Sequence, residues 1–265
     1  MIWAPAFAGV SGTCKPRGAQ IPVAAAVDAR NLTPNGVGWR MTIQTSEKAV
    51  AMPRIALAAP VAVLTGLYIL AAVLHMADEI REGERFAFDT AVLLGFRGLD
   101  GQPLGPAWLT RAFIDITALG GSVARWIVGG GAVAVLMLLR RRSEALWMLV
   151  AAGGAMIMDP LLKAILHRPR PVIAPHLIEA TGTSFPSGHA LVSAALYLTL
   201  AAVVAQRLET AAARFAVMAG AAVLVGLIGL SRVYLGVHWP SDVIAGWTFG
   251  AAWALVVMMA KARLA

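Results

Sequence analysis

The chain has 265 residues, 59% of them apolar and only 14% charged, with a mean hydropathy of +0.74. A soluble domain runs at about 45–50% apolar and about 25% charged, so this composition excludes an ordinary soluble protein and points to the bilayer. The net charge of +8 fits Lys and Arg gathered in cytoplasmic loops rather than nucleic-acid binding, and the single cysteine, Cys14, excludes an intrachain disulfide.

Residues 1–54 stand apart, rich in Pro, Gly and Ala without periodicity or a long apolar run. They are expected to form a disordered cytoplasmic segment. Residues 1–10 are apolar but carry no basic residue, so a secretory signal is not expected. Met41 and Met52 are alternative starts, and residues 1–40 are expected to be dispensable.

From residue 55 onward the chain reads as one all-α membrane domain, 55–265, a bundle of six transmembrane helices. A span needs about 17–25 apolar residues. The six candidates are residues 55–76, 117–139 (with Arg125 inside it), 145–162, 190–205, 215–230 and 243–260. Between the first two lies a long segment, 77–112, with Asp78, Glu79, Glu82, Glu84 and Asp89 set among Phe86, Phe88 and Phe96. It reads as a helix on the membrane surface, serving either as a plain connector or as a lid or substrate-entry element.

Polar chemistry concentrates in three stretches. The first is Lys163 to Pro171, the second Pro186 to His189, and the third Ser231 to Asp242. The first two share the loop between spans three and four, and the third lies between spans five and six. Two crossings separate them, so all three emerge on one face. Lys48, Arg54, Arg140, Arg141, Arg142, Arg207, Arg214, Lys261 and Arg263 lie on the opposite side, against Arg81, Arg85, Arg97 and Arg111 on the motif side, outside the motifs and their neighbour Arg168. This bias puts the motif face outside the cytoplasm, periplasmic or extracellular in a bacterium.

In the first stretch, Asp159-Pro160 reads as a helix start, with Asp as cap and Pro at the first helical position. Lys163 follows Asp159 by four residues, on the same helix face and in pairing range. Arg168 and Arg170 each precede a proline, which disfavours helix and holds them extended. An extended chain presents a guanidinium fork to phosphate, although a basic patch against lipid headgroups uses the same residues.

The second stretch opens span four with Ser187 as an N-cap and Gly188 allowing close approach to the backbone. The free N–H groups of a helix start attract anions, and His189 sits where a proton donor is useful. A simple cap with an interfacial histidine fits the same tetrapeptide. In the third stretch Arg232 ends span five, and Asp242 follows His238 by four residues. That spacing lets the carboxylate hold one ring nitrogen and raise the basicity of the other. A structural His–Asp bond or a pair of metal ligands at i and i+4 also fits.

Together the stretches read K-x6-RP, PSGH and SR-x5-H-x3-D, and in this form they resemble the type 2 phosphatidic acid phosphatase family, related to the vanadium haloperoxidases. Every motif position matches, over about residues 160–260, and six spans with an outward site are similar to the membrane branch of that family. The resemblance implies that His238 attacks phosphorus to give a phosphohistidine, Asp242 orients it, and His189 protonates the leaving oxygen. It implies that Lys163, Arg170, Arg232, Ser187 and the Gly188 N–H hold the phosphate oxygens. Arg168 and Asp159 neighbour this set, Arg168 as a further candidate for phosphate contact. No metal and no cofactor is expected.

The function so implied is a lipid phosphatase of the inner (plasma) membrane, multi-pass, acting on a phosphate monoester or diphosphate. An isoprenyl diphosphate such as undecaprenyl diphosphate is favoured, with phosphatidate, phosphatidylglycerophosphate and lipid A phosphate as other candidates. A transferase with the same nucleophile is the alternative, and a non-catalytic lipid-binding or transport protein a third reading.

Overall fold

The structure, a computed structural model, describes residues 86–264 and, ahead of them, residues 71, 74, 75 and 77–79. The expected N-terminal segment and nearly all of the first expected span lie outside the described residues. Among those described, the fold is all-helical: α1 Ala87–Leu94, α2 Ala107–Ala118, α3 Ser122–Leu138, α4 Arg142–Ile165, α5 Gly188–Ala205, α6 Ala211–Tyr234 and α7 Pro240–Leu264. The four helices α4 to α7 are long and apolar enough to cross a membrane, and α2 with α3 makes a fifth if the bent pair is one span.

Helix α5 is the centre of the bundle. It is apolar on all sides, and Ala190, Leu191, Val192, Ala195 and Leu196 are fully buried. A helix hydrophobic all round is a core helix or a membrane span, and the burial of these residues puts α5 inside the bundle. Leu191, Val192 and Ala195 pack with Phe185, Ala155, Ala245 and Phe249, while Leu196 joins Met148 and Ile228. Helix α7 comes closest to α5, and its Gly246 and Gly250 make that possible. A Cβ on Gly246 would stand 2.6 Å from the Ser187 carbonyl oxygen, and one on Gly250 would stand 2.2 Å from the Leu191 carbonyl oxygen. Small residues four apart are the usual device for bringing membrane helices into backbone contact. Because the obstacle is backbone, it cannot turn aside. Gly250→Leu is expected to cost about 3 kcal/mol or more and to appear as a lower melting temperature and loss of the monodisperse species in detergent.

Two elements differ from the sequence expectation. The span expected at 117–139 is broken: α2 ends at Ala118, α3 begins at Ser122, and the axes differ by 47°. Gly120 and Gly121 sit in the break, and the Tyr197 hydroxyl donates to the Leu119 carbonyl at 2.7 Å, satisfying a group freed by the helix end. Gly120 is also a contact point, since a Cβ there would lie 2.5 Å from Ile228 Cγ2 and 3.1 Å from His189 Cδ2. The second difference concerns Asp159-Pro160, which does not start a helix. Helix α4 runs through Pro160 to Ile165. Proline removes one backbone donor, a loss that membrane helices tolerate where packing and local adjustment satisfy the freed carbonyl.

The helix ends set the site. The C-terminal ends of α4 and α6 and the N-terminal ends of α5 and α7 meet at one end of the bundle, tied by cross-links between their loops. Ser187 N–H donates to the Asp242 carbonyl at 2.9 Å, Ser184 N–H to the Arg168 carbonyl at 2.8 Å, and Leu177 N–H to the Leu235 carbonyl at 3.1 Å. Between Arg232 and His238 the chain turns at Gly236, with φ +77°. A side chain at 236 would be strained by that φ and would also meet the Pro175 carbonyl oxygen at 2.8 Å.

Candidate active site

His238 lies in the short α6–α7 connection and is 2% exposed. Its Nδ1 faces Asp242 Oδ2 at 3.4 Å, and its Nε2 faces Arg170 Nη1 at 3.3 Å. A guanidinium only donates and a carboxylate only accepts. The network therefore assigns the ring proton to Nδ1 and leaves the Nε2 lone pair directed at the cationic side of the site. Burial pushes the His238 pKa down from its ordinary value of 6.5 to about 4, against the opposing pull of Asp242.

Asp242 is fully buried in the first turn of α7. Its Oδ2 accepts from the Trp239 N–H at 2.9 Å and from the Ser184 hydroxyl. The first of these is a capping contact, a carboxylate at the third helical position reaching back to the residue before the helix. Its Oδ1 accepts from Arg168 Nη1 at 2.7 Å. The carboxylate that fixes the histidine is thus itself fixed from three directions.

Four cations surround the two histidines. Arg170 is held by its own loop, donating to the Val237 and Thr181 carbonyls, both at 2.7 Å, and to the Gly182 carbonyl at 3.2 Å. Arg232 is 5% exposed, donates from Nη1 to the Thr117 hydroxyl at 2.8 Å, and keeps a buried Nε without a partner among the described residues. Lys163 pairs with Asp159 at 3.0 Å, as their i,i+4 spacing predicts. The fourth is Arg125 of α3, whose Nη2 donates to the Ser122 hydroxyl at 3.2 Å and whose Nε is also buried, without a partner among the described residues. His189 lies within electrostatic reach of Arg232, Arg125, His238 and Lys163. All three motifs therefore supply residues to one cluster.

At the start of α5, Ser187 occupies the N-cap position, but its hydroxyl makes no capping bond and is buried without a partner among the described residues. Gly188 lets the Asp159 carboxylate lie against the start of α5, since its oxygens would stand 2.5 and 2.6 Å from an added Cβ and would have to be displaced. Arg168 points away from this cluster. Its Nη1 reaches Asp242 and the Ser241 hydroxyl at 2.7 and 2.6 Å, and its Nη2 reaches Asp89 at 2.8 Å, with Phe86 and Trp239 over its plane.

Four residues join the site that motif reading did not assign to it. Arg125 carried a signal, because a charge inside an apolar span marks a functional position by default. Asp89, Ser184 and Thr117 carried none, since each reaches the site through a tertiary contact across 58 or more residues of sequence.

Comparison with known proteins places the chain in a family. A model of the PAP2 superfamily matches residues 144–264. Phosphatidylglycerophosphatase B of Bacillus subtilis (strain 168) is 32% identical over 192 residues, spanning 72% of this chain and 89% of that protein. Undecaprenyl-diphosphatase of Sulfolobus acidocaldarius is 35% identical over 102 residues, 37% of this chain and 45% of that protein. The crystal structure of the first transmembrane PAP2 type phosphatidylglycerolphosphate phosphatase from Bacillus subtilis has a TM-score of 0.67 at 27% identity, covering 76% of this chain and 97% of that one. With residues of all three motifs gathered at one end of a helical bundle like that one, the chain belongs to the PAP2 superfamily and is a membrane phosphatase, a phosphoric ester hydrolase.

Proposed function

We propose that the protein removes phosphate from a membrane lipid through a phosphohistidine on His238, with the site on the outer face of a six-span bundle. The observation that carries this reading is the pairing at His238: a buried ring with its proton held by Asp242 at Nδ1 and its Nε2 beside Arg170. In the first step Nε2 forms a bond to phosphorus as the P–O bond to the lipid breaks, and His189 gives its proton to the departing oxygen. Lys163, Arg170, Arg232, the unpartnered Ser187 hydroxyl and the Gly188 N–H balance charge on the phosphoryl oxygens. In the second step His189, now neutral, takes a proton from water as the water oxygen attacks phosphorus. The P–N bond breaks, free phosphate leaves, and His238 is restored. Four cations and a helix start gather the charge that a metal carries in other phosphoryl-transfer sites, so activity is expected to survive EDTA.

The outward face is supported by the opposite end of the bundle. Arg140, Arg141, Arg142, Arg207, Arg214, Lys261 and Arg263 all gather there. The sixth span of the reading is residues 55–76, ahead of α1. For the substrate, near full-length similarity to a phosphatidylglycerophosphatase favours phosphatidylglycerophosphate, and the shorter similarity to an undecaprenyl-diphosphatase makes an isoprenyl diphosphate the second reading. Phosphate release from phosphatidylglycerophosphate, undecaprenyl diphosphate, phosphatidate and lipid A, each alone in detergent, tests both. Release from one of them with water as sole acceptor supports a hydrolase, and no release from any would sink the reading.

The pH profile provides a further check. The nucleophile must be neutral, and a lowered His238 pKa keeps it neutral well below pH 6.5. The acid limb of kcat/KM, after correction for ionisation of the substrate phosphate, is therefore expected near pH 4. A limb near 6.5 that belongs to the enzyme contradicts the assignment.

A further inference from the structure

We infer that Asp89 of α1 is a positioning residue for phosphoryl transfer, acting on His238 through Arg168, Ser241 and Asp242. The inference rests on the proposed role of His238 as nucleophile. Asp89 lies outside all three motifs, in the 77–112 segment, and is 1% exposed. Both of its oxygens are committed. Oδ1 accepts from the Ser241 N–H at 2.8 Å; Oδ2 accepts from the Ser241 hydroxyl at 2.6 Å and from Arg168 Nη2 at 2.8 Å. The Ser241 N–H is one of the donors left open at the start of α7, so α1 caps the helix that carries Asp242. Arg168 in turn spends its other terminal nitrogen on Asp242 Oδ1 at 2.7 Å and on the Ser241 hydroxyl at 2.6 Å. The chain of contacts from Asp89 to His238 is continuous, and every member is buried.

Charge explains why this arrangement acts on the reaction and not only on the fold. Two carboxylates against one guanidinium leave one net negative charge beside a neutral ring. When Nε2 bonds phosphorus while Nδ1 keeps its proton, the ring becomes cationic, and that single negative charge is its counterpart. Without Asp89 the remaining pair is neutral, and Arg168, left with Asp242 as its one carboxylate partner, competes with the His238 N–H for it. The ring cation then forms with a neutral pair on its Nδ1 side in place of a net negative charge. Such a loss is felt in the transition state and not in substrate binding, so it lowers kcat and leaves KM alone.

The test uses the full chain in detergent with the lipid phosphate it hydrolyses best, and wild type and His238→Ala as references. If wild type is inactive, or His238→Ala retains activity, the reading of the site fails and not this inference alone. With those references in order, Asp89→Asn is expected to lower kcat about 10–100-fold with KM within about threefold. Asp89→Asn combined with Arg168→Gln is expected to fall little further than Arg168→Gln alone, because the two act through one path. Should Asp89→Asn fail to fold, judged by melting and size exclusion, Ser241→Ala removes the hydroxyl shared by Asp89 and Arg168 while leaving both charges, and is expected to lower kcat by a smaller factor, about threefold, with KM unchanged. An unchanged kcat, a change confined to KM, or losses that multiply in the double variant would overturn the role of Asp89.

Discussion

His238→Ala is expected to reduce kcat by roughly four orders of magnitude, since removing the nucleophile of a covalent mechanism leaves only the binding and charge-balancing parts of the site. The fold should tolerate the change. The His238 side chain is held by Asp242 and Arg170, and each of these has other partners: Asp242 keeps Arg168, Trp239 N–H and Ser184, and Arg170 keeps three carbonyls. A melting temperature within a few degrees of wild type, with turnover lost, is the expected pair of results. More than about a tenth of the wild-type rate would make a route through His238 untenable.

Asp242→Asn comes next in size, with an expected loss of about 10³–10⁴-fold in kcat. The carboxylate only accepts, so it selects the Nδ1–H tautomer. An amide at 242 can turn its NH2 towards the ring and favour the opposite tautomer, placing the proton on the nitrogen that must attack. The substitution also leaves Arg168 with one carboxylate where it had two. Direct kinetics with a lipid phosphate, set beside melting in detergent, separates these effects from unfolding. Unchanged kinetics in a folded variant would remove the orienting role of Asp242.

The parts of the site that were legible in the sequence are those governed by short spacing. Four residues along a helix put Lys163 beside Asp159, and the same interval at a helix start put Asp242 beside His238. Counting crossings between hydrophobic runs was enough to bring the three motifs to one end, because parity does not depend on where each helix ends. Residues whose partners are distant in the chain were not legible. Arg168 reads as a phosphate ligand from its neighbours in sequence, yet its guanidinium is taken up by Asp89 and Asp242. Ser187 stands at the N-cap as its type predicts, but its hydroxyl makes no capping bond. Pro160 read as a start because proline favours the first helical turn, a local preference that packing within α4 overrides. The break at Gly120 was hidden inside an apolar run, where hydropathy marks a span but not a bend. Gly246 and Gly250 were equally silent, since their importance comes from the backbone of α5 lying against them.

The central claim is the covalent bond between His238 and phosphorus, and trapping that bond tests it most directly. The wild-type enzyme is mixed with a phosphate-labelled lipid substrate, quenched in alkali within one turnover, and digested for peptide mass spectrometry. The account predicts an acid-labile, alkali-stable phosphate on His238, absent from the His238→Ala protein. Product formation in the same quenched samples with phosphate on a different residue, or with no phosphate on His238 at any time before the first turnover is complete, would contradict it.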